Sequence, residues 1–213
     1  MTRCSGEALI ARKQPHQARA KVTVDAIFEA TIQVLLSEGL SALTTTRVAA
    51  RAGVSVGTLY QYFPQKQALL FALLQRHLDG VSDAVCATCT RCLGMSLEKM
   101  ADALVKAYLD AKTKDIAATR ALYVVAAELD TDDLLGTIAQ RNHSAIRDLL
   151  TSAKGITFDR PDAVAFTLRA TLAGATRAVL ERDATREDLT ALRRELPVLC
   201  RAYLAARSIL PRM

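Results

Sequence analysis

Thr44, Thr45, Thr46 and Arg47, with Thr58, Tyr60, Gln61 and Tyr62 close behind, crowd polar groups into one short stretch, TTTRVAARAGVSVGTLYQYF. Hydroxyls, a guanidinium and an amide are the groups that hydrogen-bond to phosphate oxygens and base edges. Val56, lying between them, offers an apolar surface of the kind that meets a thymine methyl. The chemistry on offer is therefore recognition of a nucleic acid groove.

Two short helices must hold these groups. Thr44 can cap a helix over 45–52, Gly53 can end it, and Ser55 can cap a second helix over 56–63, with Pro64 following closely. An N-cap hydroxyl satisfies otherwise orphaned amides, and glycine leaves a helix through the left-handed region at least cost. Two helices joined by such a turn form a helix-turn-helix unit. Val48, Ala49, Ala52, Val54, Leu59 and Phe63 supply the contacts between them, and the small alanines let the axes approach. Thr46, Arg47, Val56, Thr58, Tyr60, Gln61 and Tyr62 are left partly or wholly outward. An amphipathic hairpin inside an ordinary bundle would give a similar pattern. Charge favours the nucleic acid: residues 1–76 hold nine Lys/Arg against four Asp/Glu, whereas the remainder is nearly balanced, nineteen against eighteen. A surplus confined to the segment with the motif fits a polyanionic partner.

The rest of the 213 residues reads as helix. Ala and Leu dominate, Gly and Pro are few, and no useful length alternates with period two, so an all-α fold is expected. Residues 1–22 read as a basic arm, and Thr23 as the cap of a helix whose apolar positions are Val24, Ile27, Phe28, Val34 and Leu35, ended by Gly39. A long helix should start near Gln65, followed by helices over about 97–113, 118–129, 132–153, 161–182 and 187–208. Thr185 with Asp188 resembles a capping box, Pro161 suits a first helical turn, and Pro197 should kink or split the last helix. There is no internal repeat and no low-complexity tract.

Other chemistry is poorly supplied. Cys86, Cys89 and Cys92 have two residues between neighbours, but a tetrahedral zinc site needs four ligands and no His stands nearby. Packing as small apolar residues is the simpler expectation, with a thiol- or metal-sensing regulator as the alternative. His16, His77 and His143 fall in the arm and on polar helical surfaces, outside any nucleophile elbow or HExxH pattern. Neither an enzyme nor a cofactor nor a metal is expected. The N-terminus lacks an apolar export segment and no apolar run approaches the length of a membrane span, so a cytoplasmic protein without membrane contact is expected.

From Val24 to about Leu73 the chain resembles the TetR (tetracycline repressor) family of bacterial transcriptional regulators. The resemblance is carried by Glu38-Gly39, Leu43-Thr44-Thr45, Val48-Ala49, Ala52-Gly53-Val54-Ser55, Gly57-Thr58-Leu59-Tyr60, Tyr62-Phe63, Lys66 and Leu69-Leu70. It implies a three-helix DNA-binding head over residues 23–66 and a helical ligand-binding and dimerisation body over 67–213. It further implies a homodimer on a palindromic operator in double-stranded DNA, released by a small apolar or amphipathic effector. Helix 56–63 matches the recognition helix, making Thr58, Gln61 and Tyr62 candidates for groove contacts. Thr44, Tyr60 and Lys66 match phosphate-gripping positions, and Thr46 and Arg47 begin the supporting helix, where the family also reaches DNA. Gln65 and Gln67 depart from the usual Ser or Asn cap and Glu of the following helix.

No motif marks the body. Tyr108, Leu122, Tyr123, Val125, Phe166 and Leu172 are the bulky residues expected near its interior, with Glu128 either a pocket carboxylate or a solvated helix-end charge. Ala170, Gly174 and Ala178 belong to a small-residue run in helix 161–182, which together with the final helix resembles the family's four-helix dimer interface.

Overall fold

The computed structural model describes residues 18–182 and 184–210. Helices α1 (Ala18–Ala42), α2 (Thr45–Ala52), α3 (Val56–Tyr62), α4 (Lys66–Arg91), α5 (Leu97–Thr113), α6 (Ile116–Glu128), α7 (Asp132–Thr151), α8 (Pro161–Leu180) and α9 (Arg186–Arg207) account for nearly all of them. The protein is all-α, with a helix-turn-helix near its N-terminus followed along the chain by a helical domain. Two residue pairs, β1 (Thr157–Phe158) and β2 (Ser208–Ile209), form an antiparallel bridge with Thr157 opposite Ile209. A strand of two residues has no period to read, which is why the sequence gives no sign of it.

The chain divides into two compact units. One comprises the residues up to His77 together with Ala117–Asp132; the other comprises Leu78–Ile116 and the residues from Asp133 onward. Helix α4 contributes residues to both, and α6 is grouped with the N-terminal unit.

In the first unit, α1 buries Val24, Ile27, Phe28, Thr31, Val34 and Leu35, the stripe its periodicity predicts. The helix begins upstream of its expected start, however. Thr23 lies inside it and donates from Oγ1 to the Arg19 carbonyl at 3.1 Å, instead of capping. A threonine hydroxyl bonds equally well to the carbonyl four residues back as to an open amide, so the residue type could not decide between the two. Of the expected arm over residues 1–22, residues 18–22 belong to α1, and residues 1–17 lie outside the described residues. Gly39 breaks α1 with φ 79° and ψ 172°.

The second unit is a bundle around Met100, Leu104, Val105, Leu109, Ile146, Leu149, Leu168 and Leu172, all buried. Helix α9 packs on α5 and on α8. Arg193 bonds Asp110 and Arg201 bonds Asp102, two rungs whose opposite order along α5 and α9 requires the helices to run antiparallel. Thr185 and Asp188 form the complete capping box that starts α9. That helix then runs unbroken through Pro197, so the expected split does not occur. Packing of Leu192, Leu196, Cys200 and Leu204 on either side of the proline holds the helix together. By length and composition alone α8 could cross a membrane; here it buries Val164, Ala165, Leu168, Leu172, Thr176 and Leu180 as a bundle helix.

Candidate nucleic-acid interface

A seven-residue helix is too short to stand alone in water. Helix α3 is held at both ends and along one side. Ser55 Oγ accepts the Thr58 amide at 2.9 Å, and the Phe63 amide returns to the Leu59 carbonyl at 2.9 Å. Leu59 is fully buried, and the Phe63 ring meets Phe28 of α1 with centroids 5.5 Å apart. Helix α2 is pinned in the same manner. Thr44 Oγ1 accepts the Arg47 amide at 3.2 Å, and Gly53 leaves the helix at φ 69° with its amide on the Ala50 carbonyl. Val48 and Ala49 are buried beneath. Caps and core thus fix two short helices whose other faces are open.

The predicted contact residues divide into three groups on this frame. Thr44, Thr46, Tyr60 and Gln61 are exposed, Tyr60 by 42%. Val56, Thr58, Tyr62 and Lys66 are half-buried. Thr58 Oγ1 lies 2.8 Å from Ser55 Oγ, and Tyr62 leans on Phe63 with ring centroids 6.4 Å apart. Arg47 is exposed but occupied: its guanidinium donates to the Ala42 carbonyl at 2.8 Å and meets Glu38 at 2.6 Å. In this arrangement the side chain staples α2 to the end of α1. Thr45, part of the polar stretch but not among the predicted contacts, also joins: its Oγ1 and Tyr60 Oη are 3.0 Å apart, linking α2 to α3. Both are ordinary helix residues fifteen apart, and only the folded turn brings them together.

The expected interior residues of the body are distributed between the two compact units. Leu122 and Val125 are buried, Tyr123 half-buried and Glu128 exposed on α6, in the N-terminal unit. Tyr108 is half-buried and Leu172 buried in the other. Phe166 corrects the expectation of an interior place, because it is 56% exposed. Val164, Ala165, Leu168 and Leu172 set the buried face of α8, and Phe166 falls opposite, with Arg169 stacked over its ring at 5.4 Å. Ala170, Gly174 and Ala178 lie on the same exposed side.

Two histidines are less surface-like than their neighbours suggested. His77 is half-buried with Nε2 3.5 Å from Thr119, and His143 sits 3.1 Å from Asp162. Cys89, Cys92 and Cys200 are buried in the core of the second unit, while Cys86 is half-buried beside Asn142. Burial, with the neighbouring Cys86 and Cys92, pushes the Cys89 thiol up to about 12. Among the described residues no group of three or more Cys, His, Asp or Glu could hold a metal ion.

A helical chain whose first third is a capped helix-turn-helix defines the class: a nucleic-acid-reading head on a helical body. The model for bacterial regulatory proteins of the tetR family matches residues 27–73, and that for the tetracyclin repressor-like C-terminal domain matches 96–204. The chain belongs to the TetR family. Among curated relatives, the HTH-type transcriptional repressor DrrR1 of Streptomyces coeruleorubidus is 37% identical over 65 residues, 30% of this chain and 24% of that protein. The HTH-type transcriptional repressor KstR of Mycolicibacterium smegmatis is 42% identical over 55 residues, 26% of this chain and 27% of its own. The chain thus matches only about a quarter of the length of these relatives. The likeness of fold runs much further. The fatty acid degradation regulator FadR of Bacillus halodurans superposes with a TM-score of 0.67 at 19% identity, over 89% of this chain and 96% of that one.

Proposed function

We propose that the protein is a transcriptional regulator that binds a palindromic operator as a homodimer and leaves it when a small apolar or amphipathic molecule binds the body. The observation that carries this reading is the capped α2–α3 unit, which presents Thr44, Thr46, Tyr60 and Gln61 on an open face next to a fully buried Leu59. The exposed set has no apolar cluster to bury and no acid–base pair to catalyse with; its chemistry is that of groove and phosphate contact. The two named relatives are repressors, and the direction of regulation proposed here follows them.

One head reads few base pairs, so affinity requires two heads spaced by about 34–36 Å or a multiple of it. The proposed dimer face is formed by α8 and α9. Helix α8 exposes Phe166, Ala170, Gly174 and Ala178, and α9 exposes Val198 and Leu199. Helix α4, shared by both compact units, is the covalent route between head and body. An effector acts only through its differential affinity for two states, so DNA must reciprocally weaken effector binding. The thiol alternative is not favoured: Cys89 is buried and its thiol resists ionisation, whereas reactive cysteines carry lowered values.

The test is titration of wild type and variants on a duplex selected from a randomised pool by the wild-type protein. Gln61→Ala and Tyr62→Ala should erode discrimination between the selected and scrambled duplexes, and Lys66→Ala should weaken both alike. Light scattering should find a dimer without DNA, and Gly174→Glu should convert it to monomer. A ligand-insensitive monomer that still grips the selected duplex tightly would contradict the reading.

A further inference from the structure

We infer that Thr45 is a positioning residue for DNA binding, acting through Tyr60 as a two-hydroxyl relay to a single backbone phosphate. The inference rests on the reading of α3 as the DNA-facing helix. Thr45 occupies the first position of α2, directly after the Thr44 cap, and its Oγ1 lies 3.0 Å from Tyr60 Oη. The two hydroxyls have two protons, and one is spent on the bond between them. With Thr45 donating to Tyr60 Oη, the phenol keeps the outgoing proton for an outside acceptor. The pair therefore behaves as one donor whose position is fixed by two helices.

Fixing that donor matters because Tyr60 is otherwise exposed and its phenol would sweep a wide arc. Leu59 beside it is fully buried and anchors the backbone, but nothing in that anchor selects the Tyr60 rotamer. The Thr45 bond does so before DNA arrives, so the ordering cost falls on folding instead of binding. A phosphate oxygen is the acceptor that suits such a donor: charge-assisted bonds to phosphate are short and strong, and they fix register without reading sequence. The relay also ties α2 to α3 at the open face, opposite the Val48, Ala49 and Leu59 contacts that join them underneath. It sets how the face is presented, while the buried contacts set how the helices pack.

The experiment uses the full chain and the duplex that wild type selects from a randomised pool, with Thr45→Val, Thr45→Ser, Tyr60→Phe and the Thr45→Val/Tyr60→Phe double variant. Tyr60→Phe should weaken binding about tenfold, the scale of one hydrogen bond to a charged acceptor, and Thr45→Val by about threefold, the scale of ordering one side chain. The loss should be equal on selected and scrambled duplexes, because a phosphate contact carries no sequence information. The double variant should be no weaker than the weaker single one, Thr45→Ser should restore wild-type affinity, and the thermal midpoints should coincide. Wild-type affinity in Thr45→Val, or losses that multiply in the double variant, would overturn the relay while leaving the DNA reading intact. A wild-type protein that selects no duplex at all would take down both.

Discussion

The pair α2–α3 and the pair α8–α9 are built by opposite means. The first consists of eight and seven residues, the second of twenty and twenty-two. Short helices gain little from propagation, so α2 and α3 depend on caps at Thr44 and Ser55, a left-handed Gly53 and a few wholly buried anchors. Each of those devices demands a particular residue type at a particular place. Long helices satisfy their own backbones, and α8 and α9 need only an apolar face, which Leu, Val, Ala or Cys supply interchangeably. Recognition surfaces on short, capped helices are thus strongly written in sequence, whereas bundles are written only as periodicity.

Breaking the anchors should separate the two pairs most sharply. Phe63→Ala should destabilise the head by about 3–5 kcal/mol, since its ring is buried against Phe28, and should abolish DNA binding. Light scattering on the same variant should still report a dimer, because α8 and α9 retain every contact. Loss of the dimer as well would mean the two pairs are not independent.

A smaller effect, of up to a few kcal/mol, lies in Lys112 of α5, only 6% exposed. Burial first, and the Arg177 charge second, lower its amine from 10.5 to about 8. The unfolded chain then holds the proton more firmly between those values, so stability should rise as the pH climbs from about 8 towards 10.5. Below about 8 the cost is fully present. Melting curves of wild type and Lys112→Met should diverge below pH 8 and converge above 10.5. Parallel curves throughout would refute the assignment.

The caps come next, at about 1 kcal/mol each. Thr44→Ala and Ser55→Ala should lower the head's thermal midpoint and weaken selected-duplex binding together, whereas Thr185→Ala at the start of α9 should leave DNA binding unchanged. The smallest effect belongs to Arg47. Its exposed pairing with Glu38 is worth well under 1 kcal/mol, so Arg47→Ala should hardly move the head's thermal midpoint, and with the guanidinium held on the end of α1 it should weaken duplex binding less than Lys66→Ala. An Arg47→Ala loss exceeding that of Lys66→Ala would show that the guanidinium abandons Glu38 for DNA.

The same contrast explains what could be read in advance. The helix-turn-helix was legible down to its two caps and its glycine, as was the Thr185–Asp188 box, because at each place several signals at matching spacing point to the same solution. Thr23 misled because its hydroxyl serves within a helix as well as before one. Phe166 misled because residue type says bulky and apolar, while only the register of α8 says which face. The bond of Thr45 to Tyr60 and the occupation of Arg47 by Ala42 and Glu38 were invisible because they join different helices. The grouping of α6 with the N-terminal unit left no trace for the same reason.

Titration of the full chain onto its selected duplex and onto a scrambled duplex of equal length, across a salt series, tests the central claim most directly. Affinity for both should fall linearly on logarithmic axes as counterions are released, and at physiological salt the selected duplex should bind at least about a thousandfold tighter. Equal affinity for the two duplexes at every salt concentration would contradict the account.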